Sequence, residues 1–483
     1  MTIGTRKTRG WTLALTSIGF FMVALDTLVV VTALPAIQRA FGASFAMLQW
    51  TMNAFTLAYG AGIITASALG DALGRRRVFT AGLALFSISS MACALSPSIG
   101  ALIIARTVQG LAAAMVTPLS LTILAAAFPP ERRGTVVGIW GGIGGLAVAG
   151  GPLVGGLITQ GLDWHWVFWI NVPIGVLAVL LVRARLPESR GPGARFDLAG
   201  VLSSAFGAVA LLFGLSRLGE RGWSDEIGVV AFGCGVVAIA AFIAWERRAA
   251  APLVPLHLFR NRTFAAANAT SFLMIGTLSA AAFLLTQYLQ LAAGHSAVGA
   301  GLRMLPWTAA PLAIAPLAGR LSDRIGRRSV LAAGTFLQAV GLGWFAARAG
   351  SETSYAELVP ALVLAGIGIA TALPVAPTAA LGAVAPADIG KASGINSTLQ
   401  RFGGAFVLAV AVAVFSSHNT IGGAAGFVLG FRPALAVAAA LSALATVTAL
   451  AIARSPSTAA TPARSLERLA SGVIGITVVG TKP

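Results

Sequence analysis

Asp26 is an acidic residue inside a long apolar stretch, where a carboxylate has little access to water. The stretch runs from Trp11 to Val31 and continues to Pro35. The other Asp and Glu residues fall at or beside the ends of apolar segments. A carboxylate at membrane depth costs roughly 2.5–3.5 kcal/mol on insertion scales, and such residues mark ion or proton pathways. Asp26 is therefore the first candidate for a group that binds and releases a proton.

Arg106 is a second charged residue inside an apolar segment, about six residues from the start of that segment. A buried guanidinium needs a partner, and Asp26 falls at a compatible depth. The two residues together predict a buried ion pair that takes part in proton coupling. The alternative is that Arg106 extends along the helix to the membrane surface. Gln109, one helical turn later, is a further polar candidate beside the pair.

The composition is that of a protein whose solvent is lipid. Of the 483 residues, 57% are hydrophobic and 10% are charged, with a mean hydropathy of +0.87, whereas an ordinary soluble domain has about 25% charged residues. The net charge of +18 comes from short basic clusters between apolar runs. No basic face with interleaved aromatic residues accompanies them, so we exclude nucleic acid as a partner.

Metal, redox and nucleotide chemistry are not expected. Cys93 and Cys234 both fall in apolar runs without metal-ligand spacing, so we interpret them as small buried hydrophobic residues. The phosphate-binding motif G-x-x-x-x-G-K-[ST] does not occur in the sequence. The sequence therefore predicts a protein that is not an enzyme, needs no cofactor or metal, and does not use ATP.

Apolar segments of about 20 residues, which is the length that crosses a bilayer, recur along the whole chain. They lie at 12–37, 47–69, 78–96, 101–126, 135–160, 167–183, 197–216, 227–245, 264–291, 302–321, 329–348, 357–384, 395–416 and 431–453. With the N-terminus in the cytoplasm, 25 of the 33 Lys and Arg residues fall in inner segments and 6 in outer ones. The positive-inside rule then predicts fourteen transmembrane helices with both termini cytoplasmic.

One loop sequence occurs twice. Leu69-Gly-Asp-Ala-Leu-Gly-Arg-Arg-Arg77 follows the second span, and Leu321-Ser-Asp-Arg-Ile-Gly-Arg-Arg328 follows the tenth. The Gly permits a tight turn, the Asp accepts hydrogen bonds, and the Arg cluster contacts anionic lipid. Matched loops in two halves predict a repeated gating element. Its residues are Gly70, Asp71, Gly74, Arg75, Arg76, Asp323, Gly326, Arg327 and Arg328.

The spacing of the two loops also predicts the domain organisation. In a duplicated six-plus-six bundle the second loop would follow the eighth span, so its place after the tenth indicates two additional helices between the halves. The predicted units are a six-helix bundle at 1–190, two additional helices at 191–250, a second six-helix bundle at 251–455 and a cytoplasmic tail at 456–483.

Two further groups of residues are candidates for function. Gly151, Pro152, Gly155 and Gly156 combine a helix kink with a small-residue packing face, which indicates a hinge or a seal against leakage. Polar and aromatic residues in the spans or at their ends are candidates for contact with a substrate, although aromatic residues near span ends are often interface anchors. They are Trp50, Asn53, Gln109, Gln287, Tyr288, Gln290, Trp307 and Asn396.

These motifs resemble those of the major facilitator superfamily, in the fourteen-helix branch of drug:proton antiporters. The two repeated loops resemble its motif A, in full at Gly319–Arg328 and with Ser67 in place of the opening Gly in the first copy. Other resembling segments are Leu25–Pro35 (the first-helix motif), Leu102–Gly110 (motif B), Gly151–Gly156 (motif C), Trp164–Gly175, Phe196–Asp197, Tyr288–Gln290 and Leu305–Pro306. Leu28 and Val31 stand where the first-helix motif has Thr and Asn, which removes two polar partners near Asp26.

The resemblance implies a major facilitator fold in a bacterial inner membrane. It also implies export of amphipathic drugs or secondary metabolites in exchange for protons, by alternating access. A proton-coupled importer on the same fold is the first alternative, and a non-transporting membrane scaffold or sensor is the second. The partners would be a small amphipathic substrate, protons and membrane lipids. One acid at membrane depth offers one countercharge, which fits a monovalent cation or a neutral molecule better than a dication.

Overall fold

The apolar segments fold as helices in the computed structural model, which describes residues 6–453 apart from 129, 191–197, 250–251, 253, 386–387 and 419–422. The first nine helices are α1 (Arg6–Phe41), α2 (Phe45–Leu73), α3 (Arg75–Ala94), α4 (Ile99–Ala127), α5 (Pro130–Gly161), α6 (Trp166–Trp169), α7 (Asn171–Arg185), α8 (Leu198–Arg221) and α9 (Glu226–Glu246). Within these described ranges the chain has no β-strand. Phe196–Asp197 and the tail at 456–483 lie outside them.

The second part of the chain begins with a short 3-10 turn at Leu256–Arg260. The remaining helices are α10 (Arg262–Gln287), continued by a π-helical turn (Tyr288–Ala292), then α11 (Ala297–Thr308), α12 (Ala310–Ile325), α13 (Arg327–Arg348), α14 (Tyr355–Ala372), α15 (Val375–Leu381), α16 (Ile389–His418) and α17 (Gly423–Leu450). A π-turn shifts the register of the side chains that follow it, and such turns are frequent at functional sites.

Eleven helices among the described residues are long and apolar enough to cross a membrane, or twelve if α2, bent by 47° after Ile63, is one span. The chain is thus an all-α polytopic membrane protein. Within the described ranges, two of the predicted segments do not form a single helix that is long and apolar enough to cross a membrane. The apolar part of α8 is Leu202–Leu215, and segment 302–321 is divided between α11 and α12, where Pro306 and Pro311 remove backbone donors. Fourteen complete spans and cytoplasmic termini therefore stay predictions.

The helices pack into two groups. In the N-terminal helix group (α1–α7), α1 packs against α4, α5 and α7, while α4 also contacts α2 and α3. In the C-terminal helix group (α10–α17), α10 packs against α16 and α17, and α13 against α14 and α17. The exact limits of the predicted bundles stay predictions. The groups meet chiefly where α2 crosses α16 and where α5 crosses α11.

The additional helices α8 and α9 form a hairpin. Arg217 donates to both carboxylate oxygens of Asp225, at 2.7 and 2.9 Å, and these hydrogen bonds lower the pKa of Asp225 to about 2. Leu212 of α8 packs with Leu57 and Ala405, so α8 covers the crossing of α2 and α16. Cys234 lies on an exposed face of α9, so its expected burial is wrong, whereas Cys93 is buried as expected.

The bundle is closed at the end that carries the connection between α1 and α2, here called the α1–α2 end. Phe45 stacks on Phe415 at 4.3 Å and meets Phe283 edge-on at 4.9 Å, so aromatic rings from both groups fill this end. Gln290 Nε2 donates to the Thr32 carbonyl across the groups at 3.0 Å. The opposite end, which carries the repeated loops, is called the α2–α3 end.

The two repeated loops share one backbone geometry. Gly74 has φ 111° and Gly326 has φ 88°, and each is the single residue between two helices. Each amide donates to the carbonyl four residues earlier, Gly70 or Ser322, at 3.0 Å. Only a residue without a Cβ adopts such positive φ values at little cost, so the predicted tight turns are confirmed at both places.

Candidate functional site

Asp26 lies at the centre of a buried polar network in the N-terminal helix group. The residue is 2% exposed, and its Oδ2 accepts a hydrogen bond from Arg106 Nη1 at 2.6 Å. Its Oδ1 accepts from Gln109 Nε2 at 3.1 Å and from Asn171 Nδ2 at 3.0 Å. The carboxylate from α1 is therefore held by α4 and α7 together.

Arg106 is fixed in this network rather than extended to the surface. It is 1% exposed, and the Nη1 that reaches Asp26 also donates to Gln109 Oε1 at 2.7 Å. Its Nε donates to the Thr51 carbonyl at 3.3 Å, and its guanidinium lies 4.2 Å from the centre of the Phe55 ring. The structure thus forms the predicted pair and not the alternative in which Arg106 reaches the interface.

Asn171 is the member of the network that the sequence interpretation missed. It is the first residue of α7, directly after the break that separates α6 from α7. Its Nδ2 also lies 3.1 Å from Ser90 Oγ, and that hydroxyl donates to the Phe168 carbonyl at 2.9 Å. The available signal was a polar residue inside the apolar segment Trp164–Gly175. Its direction toward Asp26 depends on the break between α6 and α7, which the apolar pattern does not reveal.

The network is a buried ion pair supported by two amide side chains. A carboxylate and a guanidinium together are neutral, which is the arrangement that a buried site tolerates best. No cluster of metal-binding side chains occurs among the described residues.

We expect Asn171→Ala to slow substrate transport about tenfold or more, because it removes a hydrogen bond to the Asp26 carboxylate and a hydrogen bond to a charged group contributes about 1.5–3 kcal/mol. The initial rate of substrate transport under a pH gradient measures this effect. Ser89→Ala is the matched control, since Ser89 is buried nearby and, within the described part of the chain, its hydroxyl bonds only to carbonyls of its own helix, Leu85 and Phe86. An unchanged rate in Asn171→Ala would show that Asn171 only packs beside Asp26.

The predicted gating loop of the N-terminal group is held by ion pairs. Asp71 accepts from Arg75 Nε at 2.8 Å. Glu188, which the sequence interpretation missed, accepts from the Arg76 amide at 2.9 Å and lies 3.6 Å from Arg76 Nε. The loop is thereby tied to the segment after α7. Gly70 faces Leu119 closely, so a side chain at that position would clash.

The gating loop of the C-terminal group is described less completely. Gly326 makes the turn, and Arg327 approaches the backbone of Gly382, where an added Cβ would meet its guanidinium. Arg328 is partly buried at the start of α13. The side chain of Asp323 lies outside the described residues. The expected role of both loops in gating stays a prediction.

The glycine-rich face of α5 lies between α1 and α11. A Cβ on Gly151 would approach Leu28, and one on Gly155 would meet Thr32 and the Val29 carbonyl of α1. On the other side, a Cβ on Gly156 would lie 2.5 Å from the Ala297 carbonyl. The Pro152 carbonyl lies 2.5 Å from where a Cβ on Gly301 of α11 would sit. The predicted small-residue packing is present, and it joins the two helix groups near the closed α1–α2 end.

The predicted substrate contacts fall in several places. Gln109 belongs to the Asp26 network, Trp50 packs against Phe213 of α8 with ring centres 6.4 Å apart, and Asn396 donates to Asn268 and Ser271. Gln290 bonds across the groups, as described above, and the Tyr288 hydroxyl donates to the Gly350 carbonyl at 2.7 Å.

Three other predicted contacts are buried polar groups that have no hydrogen-bond partner among the residues that the structure describes. They are both polar side-chain atoms of Asn53, both of Gln287, and Trp307 Nε1. A buried group of this kind normally has a partner in water or a ligand. A surface groove of about 700 Å³ exists between α5 and α7, but it is lined by apolar residues such as Trp166 and Trp169 and includes no predicted contact residue.

Comparison with known proteins agrees with this geometry. The family description "Major Facilitator Superfamily" matches residues 16–310 and 264–483. The chain is 35% identical over 414 residues to a tetracenomycin C resistance and export protein of Streptomyces glaucescens, covering 85% of this chain and 77% of that protein. It is 32% identical over 473 residues to a puromycin resistance protein of Streptomyces alboniger, covering 94% and 93%.

Solved structures share the fold at low sequence identity. A bacterial homolog of the human lysosomal transporter Spinster, in an inward-facing and occupied conformation, aligns with a TM-score of 0.70 and 16% identity over 93% of this chain and 97% of that one. A POT family transporter in complex with 5-aminolevulinic acid aligns with a TM-score of 0.68 and 14% identity, over 92% and 96%. The chain belongs to the Major Facilitator Superfamily, in the branch of the drug-resistance relatives named above, and is a membrane transporter rather than an enzyme.

Proposed function

We propose that this protein exports amphipathic drugs or secondary metabolites in exchange for protons. The observation that carries the proposal is the buried network of Asp26, Arg106, Gln109 and Asn171, because it places one titratable group at membrane depth with a fixed countercharge. The relatives named for tetracenomycin C and puromycin resistance support a drug or metabolite as the exported molecule.

Alternating access would use the two contacts between the helix groups. The closed α1–α2 end and the Gly–Pro face of α5 would form one gate, and the two repeated loops at the α2–α3 end would form the other. In a bacterial inner membrane with both termini in the cytoplasm, the closed end faces outward. A substrate would then enter the protein from the cytoplasm. A proton taken up from outside would release the substrate on the outer side of the membrane.

Everted membrane vesicles test the direction and the coupling. We expect an acid-inside pH gradient to drive puromycin or tetracenomycin C into the vesicles, and addition of either compound to release protons from a preformed gradient. An importer would move the compound out of the vesicles under the same gradient. A scaffold or sensor would show no compound-dependent proton movement.

The repeated loops lead to a prediction about conformational equilibrium. We expect Asp71→Ala to shift the population between inward-open and outward-open states and to slow turnover, with a smaller effect on substrate affinity, because it removes the ion pair to Arg75 at the helix turn. Asp323→Ala should act in the same direction, since it occupies the matched place in the repeat. Asp163→Ala, an exposed acid near the opposite end, is the control.

Distances between spin labels on the exposed residues Leu73 and Lys391 report the populations at the α2–α3 end. An affinity loss without any change in the distance distribution would assign Asp71 to substrate binding instead.

A further inference from the structure

Arg401 lies deep inside the bundle at a contact between the two helix groups. It is twelve residues after Ile389, the start of the 30-residue helix α16, which places it roughly 18 Å along the helix at about 1.5 Å per residue. A Cβ built on Gly60 of α2 would lie 2.8 Å from the Arg401 Cβ. The arginine therefore sits where α2 crosses α16 and not at a helix end.

The contact that the structure describes for the Arg401 guanidinium is a stacking contact of one planar face with an aromatic ring. The guanidinium lies 4.1 Å from the centre of the Tyr59 ring, and Tyr59 is buried. In such a contact the ring covers one face, while the N–H groups point outward in the guanidinium plane. None of these N–H groups has a hydrogen-bond or carboxylate partner among the described residues, and the side chain is partly exposed. The edge that binds carboxylates is thus free.

The charge at this crossing is not balanced by the acidic network. Asp26 is already paired with Arg106, so the described charges at depth add up to one unbalanced cation, Arg401. An unpaired cation within a membrane span is costly and normally has a functional partner. The sequence alone favours a monovalent cation or a neutral molecule as the substrate because it places one acid at membrane depth, whereas Arg401 adds a cation that has no paired carboxylate in the described part of the chain.

The surroundings of Arg401 also suit a polar end of a ligand. Thr398 Oγ1 donates to the Gly60 carbonyl across the crossing at 3.2 Å. Directly before Arg401, Gln400 Nε2 donates to Asn396 Oδ1 at 2.7 Å. A side-chain amide carries two N–H groups, so one N–H of Gln400 remains to supplement the guanidinium as a donor for an oxyanion.

We propose that Arg401 binds the anionic group, a carboxylate or a phenolate, of an amphipathic substrate. The proposal rests on the proposed export function and adds that monoanions are one class of the amphipathic molecules that this protein recognises. Tyr59 links this site to the proton site, because its ring packs on Phe55 at 5.8 Å and Phe55 lies against Arg106. A substrate anion and the proton of Asp26 therefore act on two ends of one segment of α2.

The test compares resorufin, a monoanion at pH 7.5, with its neutral methyl ether, which lacks the charge and carries one additional methyl group. Equilibrium dialysis with absorbance detection gives the affinity of each for the purified protein in a non-ionic detergent. We expect the wild type to bind the anion about tenfold more tightly than the ether, since a charge-assisted hydrogen bond adds on this order. Arg401→Gln should lose this preference, and Arg401→Lys should keep part of it. Arg348→Gln, at an exposed arginine ending α13, should keep it fully.

Equal affinities for the two dyes in the wild type, no binding of the anion, or an unchanged preference in Arg401→Gln would each overturn the proposal. A lipid phosphate is the other source of an anion at this position, so the titration is repeated with phosphatidylglycerol. Stabilisation of the wild type but not of Arg401→Gln by this lipid, without a dye preference, would assign Arg401 to lipid instead. Because binding is measured without a pH gradient, its result is independent of whether transport is coupled to protons.

Discussion

Asp26→Asn is expected to abolish proton-driven export while the protein remains folded and in the membrane. Asn has the same shape as Asp and retains a carbonyl oxygen that can accept from Arg106, but it cannot exchange a proton. It imitates the protonated form of Asp26 and keeps an acceptor for Arg106, so the protein should stay folded, although Arg106 loses its countercharge and the melting temperature should fall. Gradient-driven uptake of substrate into everted vesicles should fall to background.

A loss of transport in Asp26→Asn is informative only if the same variant still binds substrate. We expect Asp26→Asn to retain substrate binding, so a loss of binding together with transport would point to misfolding rather than to lost coupling. Asp163→Asn, an exposed acid in the connection before α6, should transport at the wild-type rate. Asp26→Glu keeps a titratable group and should retain part of the activity. Full gradient-driven export by Asp26→Asn would remove Asp26 from the proton pathway.

Arg106→Gln is expected to destabilise the protein more than any of the other substitutions proposed. It leaves the Asp26 carboxylate buried without its cationic partner, and breaking a buried pair in this way costs about 3–5 kcal/mol. The double variant Asp26→Asn with Arg106→Gln should recover most of that loss, because neither charge remains. It should stay inactive, because the titratable group is gone. Arg106→Lys should be intermediate, since it keeps the charge but not the planar fork.

Thermal unfolding in detergent measures these differences. A thiol-reactive dye reports the exposure of buried Cys93 in a background that carries Cys234→Ala, which removes the exposed thiol. The melting temperature should be lowest for Arg106→Gln and should rise again in the double variant. If the decrease in melting temperature of the double variant equals the sum of the decreases in the two single variants, Asp26 and Arg106 do not stabilise one another.

The buried ion pair of Asp26 and Arg106 could be predicted from the sequence because a charged side chain deep in an apolar segment needs a partner. Asp26 and Arg106 are each a charged residue inside an apolar segment. Because each needs an opposite charge as a partner, the sequence suggested that they pair. Asn171 and Glu188 could not be assigned in this way. Each lies about 80 to 145 residues from its partners along the chain, so its role arises only when distant helices pack together.

The number of spans shows a different limit of the sequence. Hydropathy measures the length of an apolar segment but not the continuity of its helix. Pro306 and Pro311 divide one predicted span into α11 and α12, although both pieces are apolar. The turns at Gly74 and Gly326 were predictable, because glycine adopts the positive φ angle that a tight turn between two helices needs.

The partners of the Asp26 side chain that the structure describes all belong to α4 and α7, within the first 171 residues. Arg401 and the Asn396 amide lie on α16, far along the chain. In the proposed mechanism, mutations in the later helices can therefore alter which molecules are accepted while leaving the Asp26 network unchanged. The helix group assigned to protons and the helix group assigned to substrate recognition would then evolve at different rates.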